Sequence, residues 1–342
     1  MHYNEFLEKV EGRYSTLSPL DIYANIQRFQ FMPVDDSIGE EGGAMLVPLK
    51  DSQIDFLPQR LSDLSLSAHA HKQLCARIDV PYSFLRRCPR NLQYLLMNYF
   101  IQHGGYDKEV MLRTAHQSQV RAIVSERYTP FDDVQLFPLI EPWVKETEVE
   151  WYSFDDYSTH VRLTLPETEE EIKVGDAVQK GIHITNSEVG VRSVTIQAVV
   201  IRLVCKNGLL SASRKRRSHI GDSQRLKEHV KYMIEEAVLD SDALLAKYRQ
   251  SLDIAIKKPI LALKQIVKKE GLSQVEFKEL LSVYLNQPDS SLFSIVNALT
   301  QTAQEYPAER RWEIENIAGK LLDSGLRKPL LEAEHLIEEP QN

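Results

Sequence analysis

Between Arg202 and Lys231 the chain carries nine basic residues: Arg202, Lys206, Arg214, Lys215, Arg216, Arg217, Arg225, Lys227 and Lys231. Only Asp222 and Glu228 oppose them, so nine against two leaves this segment at +7 in a chain of net charge −8. A local excess against the global sign has to occupy a defined patch. Four consecutive cations at Arg214 to Arg217 repel one another, and phosphates would relieve that repulsion while releasing counterions. The chemistry expected of the run is electrostatic capture of a phosphate backbone. The alternative is a solvated loop, or a run neutralised by acids elsewhere in the subunit or in a neighbour.

A second group is polar. Asn186-Ser187-Glu188 followed by Gly190 suits a strand end that turns sharply, with its side chains bonding local backbone. Its functional alternative joins Asn186 and Glu188 to His183 and Arg127 at one rim of a sheet, where Glu188 with a histidine could do acid–base or metal work. No nucleophile elbow, HExxH, CxxC pair, phosphate loop or paired-acid nuclease signature supports an enzyme. His69 and His71 are two apart on a predicted helix and diverge, so they make no metal pair. Gly39, Gly42 and Gly43 lie in an acidic loop, Asp35 to Gly43, that no Gly-Lys-Ser/Thr completes. No catalytic residue, cofactor or metal ligand is assigned.

The elements that must carry these residues divide at Asp222. Before it the pattern is mixed. Leu17 to Phe31 reads as a helix with Ser18 as cap and Pro19 in the first turn. Helices are also expected over Leu66 to Arg77, capped by Ser67, and over Asn91 to Gln102 with a stripe at Leu92, Leu95, Leu96 and Tyr99. Glu109 to Thr114 and Gln119 to Val124 form a hairpin, and Asp132 or Asp133 caps a helix through Val144. Glu148 to Ser153 pairs with His160 to Leu165. Pro166 to Glu171 and Gly175 to Gly181 read as connections. Arg192 to Cys205 alternates as a strand with one buried face. Asn207-Gly208 then favours a tight hairpin turn, and Leu209 to Ser213 returns to deliver Arg214 to Arg217 at the sheet's rim.

After Asp222 the pattern is helical: Ser223 to Tyr248 continued by Leu252 to Ile256, then Ile260 to Val267 beyond Pro259, a capping box at Ser273 to Glu276, a helix from Ser290 or Ser291, and a last one from Pro307 through Leu322. The fold class is α+β: an antiparallel-sheet core with flanking helices over residues 1–222, a helical domain or arm over 223–330 and an acidic tail over 331–342. Trp151, Tyr152, Phe154 and Tyr157 beside a basic groove are what single-stranded nucleic acid stacks upon. Asp155 and Asp156 among them would repel phosphate, and core packing is the stronger reading.

Composition sets bounds. A length of 342 residues with 43% hydrophobic and 26% charged residues describes a globular protein with a sizeable core. No apolar run of ~18 residues predicts a membrane span, and MHYNEFLEKVEGRY lacks the layout of a signal peptide. Cys75, Cys88 and Cys205 read as reduced, buried thiols of a cytoplasmic protein. The acidic balance argues against a protein that coats nucleic acid with its whole surface.

Several stretches, in order and spacing, resemble one family. They are Leu57-Pro58-Gln59-Arg60-Leu61, Leu74-Cys75 with Ile78 and Val80-Pro81, Val120 to Tyr128, Ile184 to Gly190, Arg202 to Gly208 with Asn207-Gly208 at its end, Asn297 to Thr300, and Ala318-Gly319. The family is the phage/plasmid-like proteins grouped as domain of unknown function 932. The resemblance implies association with mobile elements and brings no catalytic residues; the Arg214 to Arg217 run stands apart from it.

Together these features lead to the expectation of a non-enzymatic accessory protein that binds nucleic acid, single-stranded DNA favoured, as a homo-oligomer. Its basic track would comprise Arg202, Lys206, Arg214, Lys215, Arg216, Arg217, Arg225 and Lys227. The polar cluster of Arg127, His183, Asn186, Ser187, Glu188, Asn207 and Gly208 would lie beside it. The alternatives are a protein-interaction module built on the helical half and a metal-dependent hydrolase built on Glu188 and His183.

Overall fold

The computed structural model describes residues 1–34, 43–49, 63–116, 118–286 and 288–324. Leu57 to Leu61, the acidic tail and all but the end of the glycine loop lie outside them. The order is α1 (Tyr3–Leu17), β1 (Leu20–Asn25), β2 (Phe29–Pro33), β3 (Ala44–Pro48), β4 (Leu64–Leu66), α2 (Ala68–Arg77), α3 (Tyr82–Leu85), α4 (Arg90–His103), β5 (Glu109–Ala115), β6 (Gln119–Ser125) and α5 (Asp133–Val144). Then come β7 (Val149–Phe154), β8 (Thr159–Lys173), β9 (Asp176–Asn186), β10 (Val194–Arg202), β11 (Asn207–Leu210) and β12 (Lys215–Arg217). Helices α6 (Ser223–Gln250), α7 (Pro259–Glu270), α8 (Gln274–Asn286), α9 (Leu292–Thr302) and α10 (Ala308–Ser324) complete the chain.

Two sheets form. The first runs β1-β5-β6-β4-β3-β2, antiparallel except between β4 and β6. The second runs β11-β10-β9-β8-β7, with β12 also paired to β10. The α+β class therefore holds. In the first sheet, Ile22, Val110 and Leu112 bury against Leu74 of α2 and Met97 and Ile101 of α4. The second is covered on both faces. Val161, Leu163, Ile182, Ile184, Val194 and Ile196 meet α5 and α6. The alternate residues of the same strands face α10, where Val199, Ile201 and Leu210 surround Trp312.

Several sequence expectations are corrected. Leu17 to Phe31 is not a helix: Ser18 turns at φ +42° at the end of α1. Ile22 and Ala24 then alternate with exposed Tyr23 in a strand, because β5 supplies a partner for it. Asn207-Gly208 is not the centre of the hairpin. Asn207 already pairs with Arg202, and the chain reverses over Leu203 to Lys206, with Lys206 at φ +52°. The segments 166–171 and 175–181 are not connections: β8 and β9 continue as a long ribbon that turns at Gly175, φ +77°. Leu252 to Ile256 does not extend α6, which ends at Gln250.

The α4 stripe faces outward in part: Leu95 and Tyr99 are 61% exposed, while Met97 and Ile101 form the buried face. Cys75 is buried, and burial pushes its thiol up to about 12, but Cys88 and Cys205 are only half-buried. The capping box is present, Glu276 N–H donating to Ser273 Oγ (3.2 Å) and Ser273 N–H to Glu276 Oε2 (2.6 Å).

Candidate functional site

Pairing β12 with β10 divides the basic run. Arg217, Arg216 and Lys215 lie opposite Val194, Thr195 and Ile196, so neighbours point to opposite faces. Lys215 turns to α6 and pairs with Glu236 (2.9 Å) and Asp240 (3.4 Å). Arg214 and Arg216 turn the other way. The Arg214 guanidinium lies 4.8 Å from the Trp312 ring centroid, and its pKa is lowered by burial and by the neighbouring charges of Arg216 and Arg192. Arg216 is exposed, with one weak hydrogen bond from Nε to Ser193 Oγ (3.3 Å). Arg202 is held by Asp176 (2.5 Å). Lys206 is exposed in its turn, and Arg225 and Lys227 lie in the first turns of α6. The run is not one continuous four-cation surface.

The polar cluster is likewise divided. Glu188 accepts from Arg121 (3.0 Å) and from the Asp133 backbone N–H (3.2 Å), and Asn186 donates to Asp133 (2.9 Å) and to the Phe131 carbonyl (3.0 Å). Arg113 grips Asp132 with both nitrogens (2.8 and 2.7 Å) and donates to the Glu188 carbonyl (2.6 Å). Ser187 donates to the Tyr157 carbonyl (2.7 Å) and accepts from Val191 N–H (3.1 Å). These bonds join the first sheet to the second at the β9–β10 turn. Asp133, fully enclosed here, has its pKa raised by burial and by Glu188.

His183 points elsewhere. It lies against His160 (3.4 Å between Nε2 and Nδ1) and stacks on Trp151, in a buried layer between the second sheet and α10. Burial, with Arg162 and His160 nearby, holds its pKa well below the ordinary histidine value. Glu188 and His183 thus do not share a site. In the same layer Arg162, wholly buried, pairs with buried Glu315 (2.5 Å). Asn207 donates to Thr300 (2.5 Å). Among the described residues no group of three or more His, Cys, Asp or Glu could hold a metal.

What the structure does assemble is a cleft of about 490 Å³ between the two sheets, with four arginines in its wall: Arg77 of α2, Arg127 beyond β6, Arg192 before β10 and Arg216 of β12. No carboxylate is among its lining residues. Arg127, of the polar cluster, and Arg216, of the basic run, meet here. Arg77 and Arg192 carried no sequence signal, being single arginines far apart in the chain. Arg127 is exposed, and its side chain has no partner among the described residues. Arg192 pairs with Glu309, whose carboxyl is held down at about 2 by hydrogen bonds from His160 and Arg192 although burial opposes its ionisation.

Two buried polar atoms of cleft residues lack protein partners, Nε of Arg77 and Nε of Arg192, while the His219 ring lies beside the Thr129 backbone. Burial lowers the His219 pKa to about 4, so its ring is neutral at pH 7. Tyr128, stacked on His219 at 5.1 Å, has Arg113 5.7 Å from its ring centroid and donates its hydroxyl proton to the Ser187 carbonyl (3.0 Å). It is a wall, not a stacking platform. Tyr152 and Phe154, half-buried, pack on Phe6 and Trp151 stacks on His183, in keeping with core packing, but Tyr157 is 44% exposed. A second cleft, of about 440 Å³, is lined by Lys173, Arg202 and Asp289 and is mixed in sign.

No helix of the described residues is long and apolar enough to cross a membrane. No curated protein and no solved structure matches the chain. A family model, the domain of unknown function DUF932, matches residues 120–310, more than half of the 342 residues. The matched span contains Arg121, Asp132, Asp133, Asn186, Ser187 and Glu188 of the inter-sheet joint but not Arg113 of β5, and it contains Arg127, Arg192 and Arg216 of the cleft. By this match the chain belongs to the DUF932 family.

Proposed function

We propose that this chain binds nucleic acid by its phosphate backbone, single-stranded DNA ahead of duplex, as a non-enzymatic accessory protein of a phage, plasmid or other mobile element, acting as a homo-oligomer. The observation that carries the reading is the cleft with Arg77, Arg127, Arg192 and Arg216 in its wall and no acid among its lining residues. Guanidinium groups match phosphate oxygens bidentately. A cleft of this volume suits a ligand-sized segment of one strand rather than a helix. The mobile-element context draws on the resemblance to phage/plasmid-like proteins. Repetition of the cleft in an oligomer would add avidity.

The test is fluorescence anisotropy with labelled single- and double-stranded DNA across a salt series, for wild type and Arg127→Ala/Arg216→Ala. The expected result is single-strand binding that weakens steeply with salt and falls at least tenfold in the variant. Absence of binding at low salt sinks the reading. A protein-interaction module is the second reading, favoured by the outward Leu95 and Tyr99 of α4. It predicts a complex whose formation is lost in Leu95→Lys while DNA affinity is unchanged.

A further inference from the structure

Resting on the reading of the cleft as a phosphate site, we infer that its preferred ligand is a terminal phosphate monoester of a nucleotide, at a strand end or on a free nucleotide, rather than an internal diester. Charge density is the reason. A diester offers one negative charge per phosphate, whereas a monoester carries about −1.5 to −2 at pH 7 with three acceptor oxygens. The cleft concentrates donors in a small space: four arginines line about 490 Å³, with Arg77 also donating to the Gln73 carbonyl (3.3 Å). Glu309 offsets only Arg192 among them.

The unpartnered atoms point the same way. Nε of Arg77 and Nε of Arg192 are buried without a protein partner, although such groups are ordinarily satisfied. They belong to two separate segments, α2 and the approach to β10, that both line the one cleft. A monoester's three free oxygens can serve several converging donors at once, where an internal diester has two free oxygens and must also carry chain in both directions. Tyr128 is engaged by Arg113 and His219, leaving no aromatic face for a base. Recognition therefore rests on the phosphate and is indifferent to base identity.

Anisotropy with three oligonucleotides of one sequence, bearing a 5′-phosphate, a 3′-phosphate or neither, tests this, with a 5′-mononucleotide as unlabelled competitor and as ligand in a thermal-shift titration. The expected result is at least tenfold tighter binding of a phosphorylated end, lost in Arg127→Ala/Arg216→Ala. Stabilisation by the mononucleotide with no oligonucleotide binding supports the monoester and identifies the free nucleotide as its source, while ending the backbone reading. Equal affinity for phosphorylated and unphosphorylated ends overturns this inference and leaves backbone binding standing. Response to none of the ligands overturns both.

Discussion

Gly208 lies directly against the guanidinium of Arg162: a Cβ built at position 208 would stand closer than 3.0 Å to Cζ and to both terminal nitrogens. Arg162 is 0% exposed and pairs with Glu315 of α10, itself 0% exposed. Gly208→Ala would push the guanidinium off Glu315. Breaking a buried pair while leaving its charges in place costs about 3–5 kcal/mol. Urea unfolding of Gly208→Ala should show a loss of that order. In Arg162→Met the same glycine substitution should be far milder; full additivity of the two changes would remove the explanation.

Gly319 of α10 makes a second close approach. A Cβ there would fall closer than 3.0 Å to the Leu210 carbonyl oxygen, a backbone atom of β11 that has no rotamer to yield. Gly319→Ala should displace α10 and destabilise the protein by more than 2 kcal/mol, despite the better helix propensity of alanine. Hydrogen exchange would show the effect as faster exchange in α10 and β11. Unchanged protection there would mean that the helix adapts.

Acid should destabilise the fold below about pH 6.5. Burial lowers the His71 pKa to about 4, where the ring is enclosed by Phe31 and Tyr82 (5.2 and 5.1 Å between centroids). The unfolded chain binds a proton near pH 6.5 and the folded chain only near 4, so the stabilising difference is full above 6.5 and lost as pH falls towards 4. Burial lowers the His219 pKa to about 4 as well, so its protonation opposes folding in the same direction. His71→Phe should flatten the slope of stability between pH 6.5 and 4; a slope identical to wild type would show that His71 is not its source.

Neighbouring cations in β12 should behave unlike one another. Arg216→Ala should lower DNA affinity and reduce the salt slope by about one phosphate contact, with little change in stability because the side chain is exposed. Lys215→Ala should leave affinity alone and cost up to about 1 kcal/mol, since its partners Glu236 and Asp240 lie on α6 and are partly exposed. Equal losses of binding in the two variants would contradict the divided run.

The α2 helix, its Ser67 cap, the β5–β6 hairpin and the long α6 were legible in the sequence because local periodicity and capping residues decide them. Leu17 to Phe31 was not. Its apolar spacing fits a helix or a strand, and β5, some ninety residues away, is what selects the strand. Asn207-Gly208 misled for a different reason: glycine is needed there for the closeness of Arg162, not for a turn. The basic run was visible as charge, but which of its side chains face outward depends on pairing with β10. Arg77 and Arg192 became site residues only when the two sheets met.

The strand at Lys215 to Arg217 has a consequence for handling the protein. Four successive basic residues in a slack loop would be the first bonds that trypsin cut. Lys215, Arg216 and Arg217, held by three residue pairs to β10, are withheld from a protease that needs a freed, extended segment. Cleavage at this run therefore reports how often β12 leaves the sheet, so limited digestion becomes a gauge of local opening at the wall of the cleft.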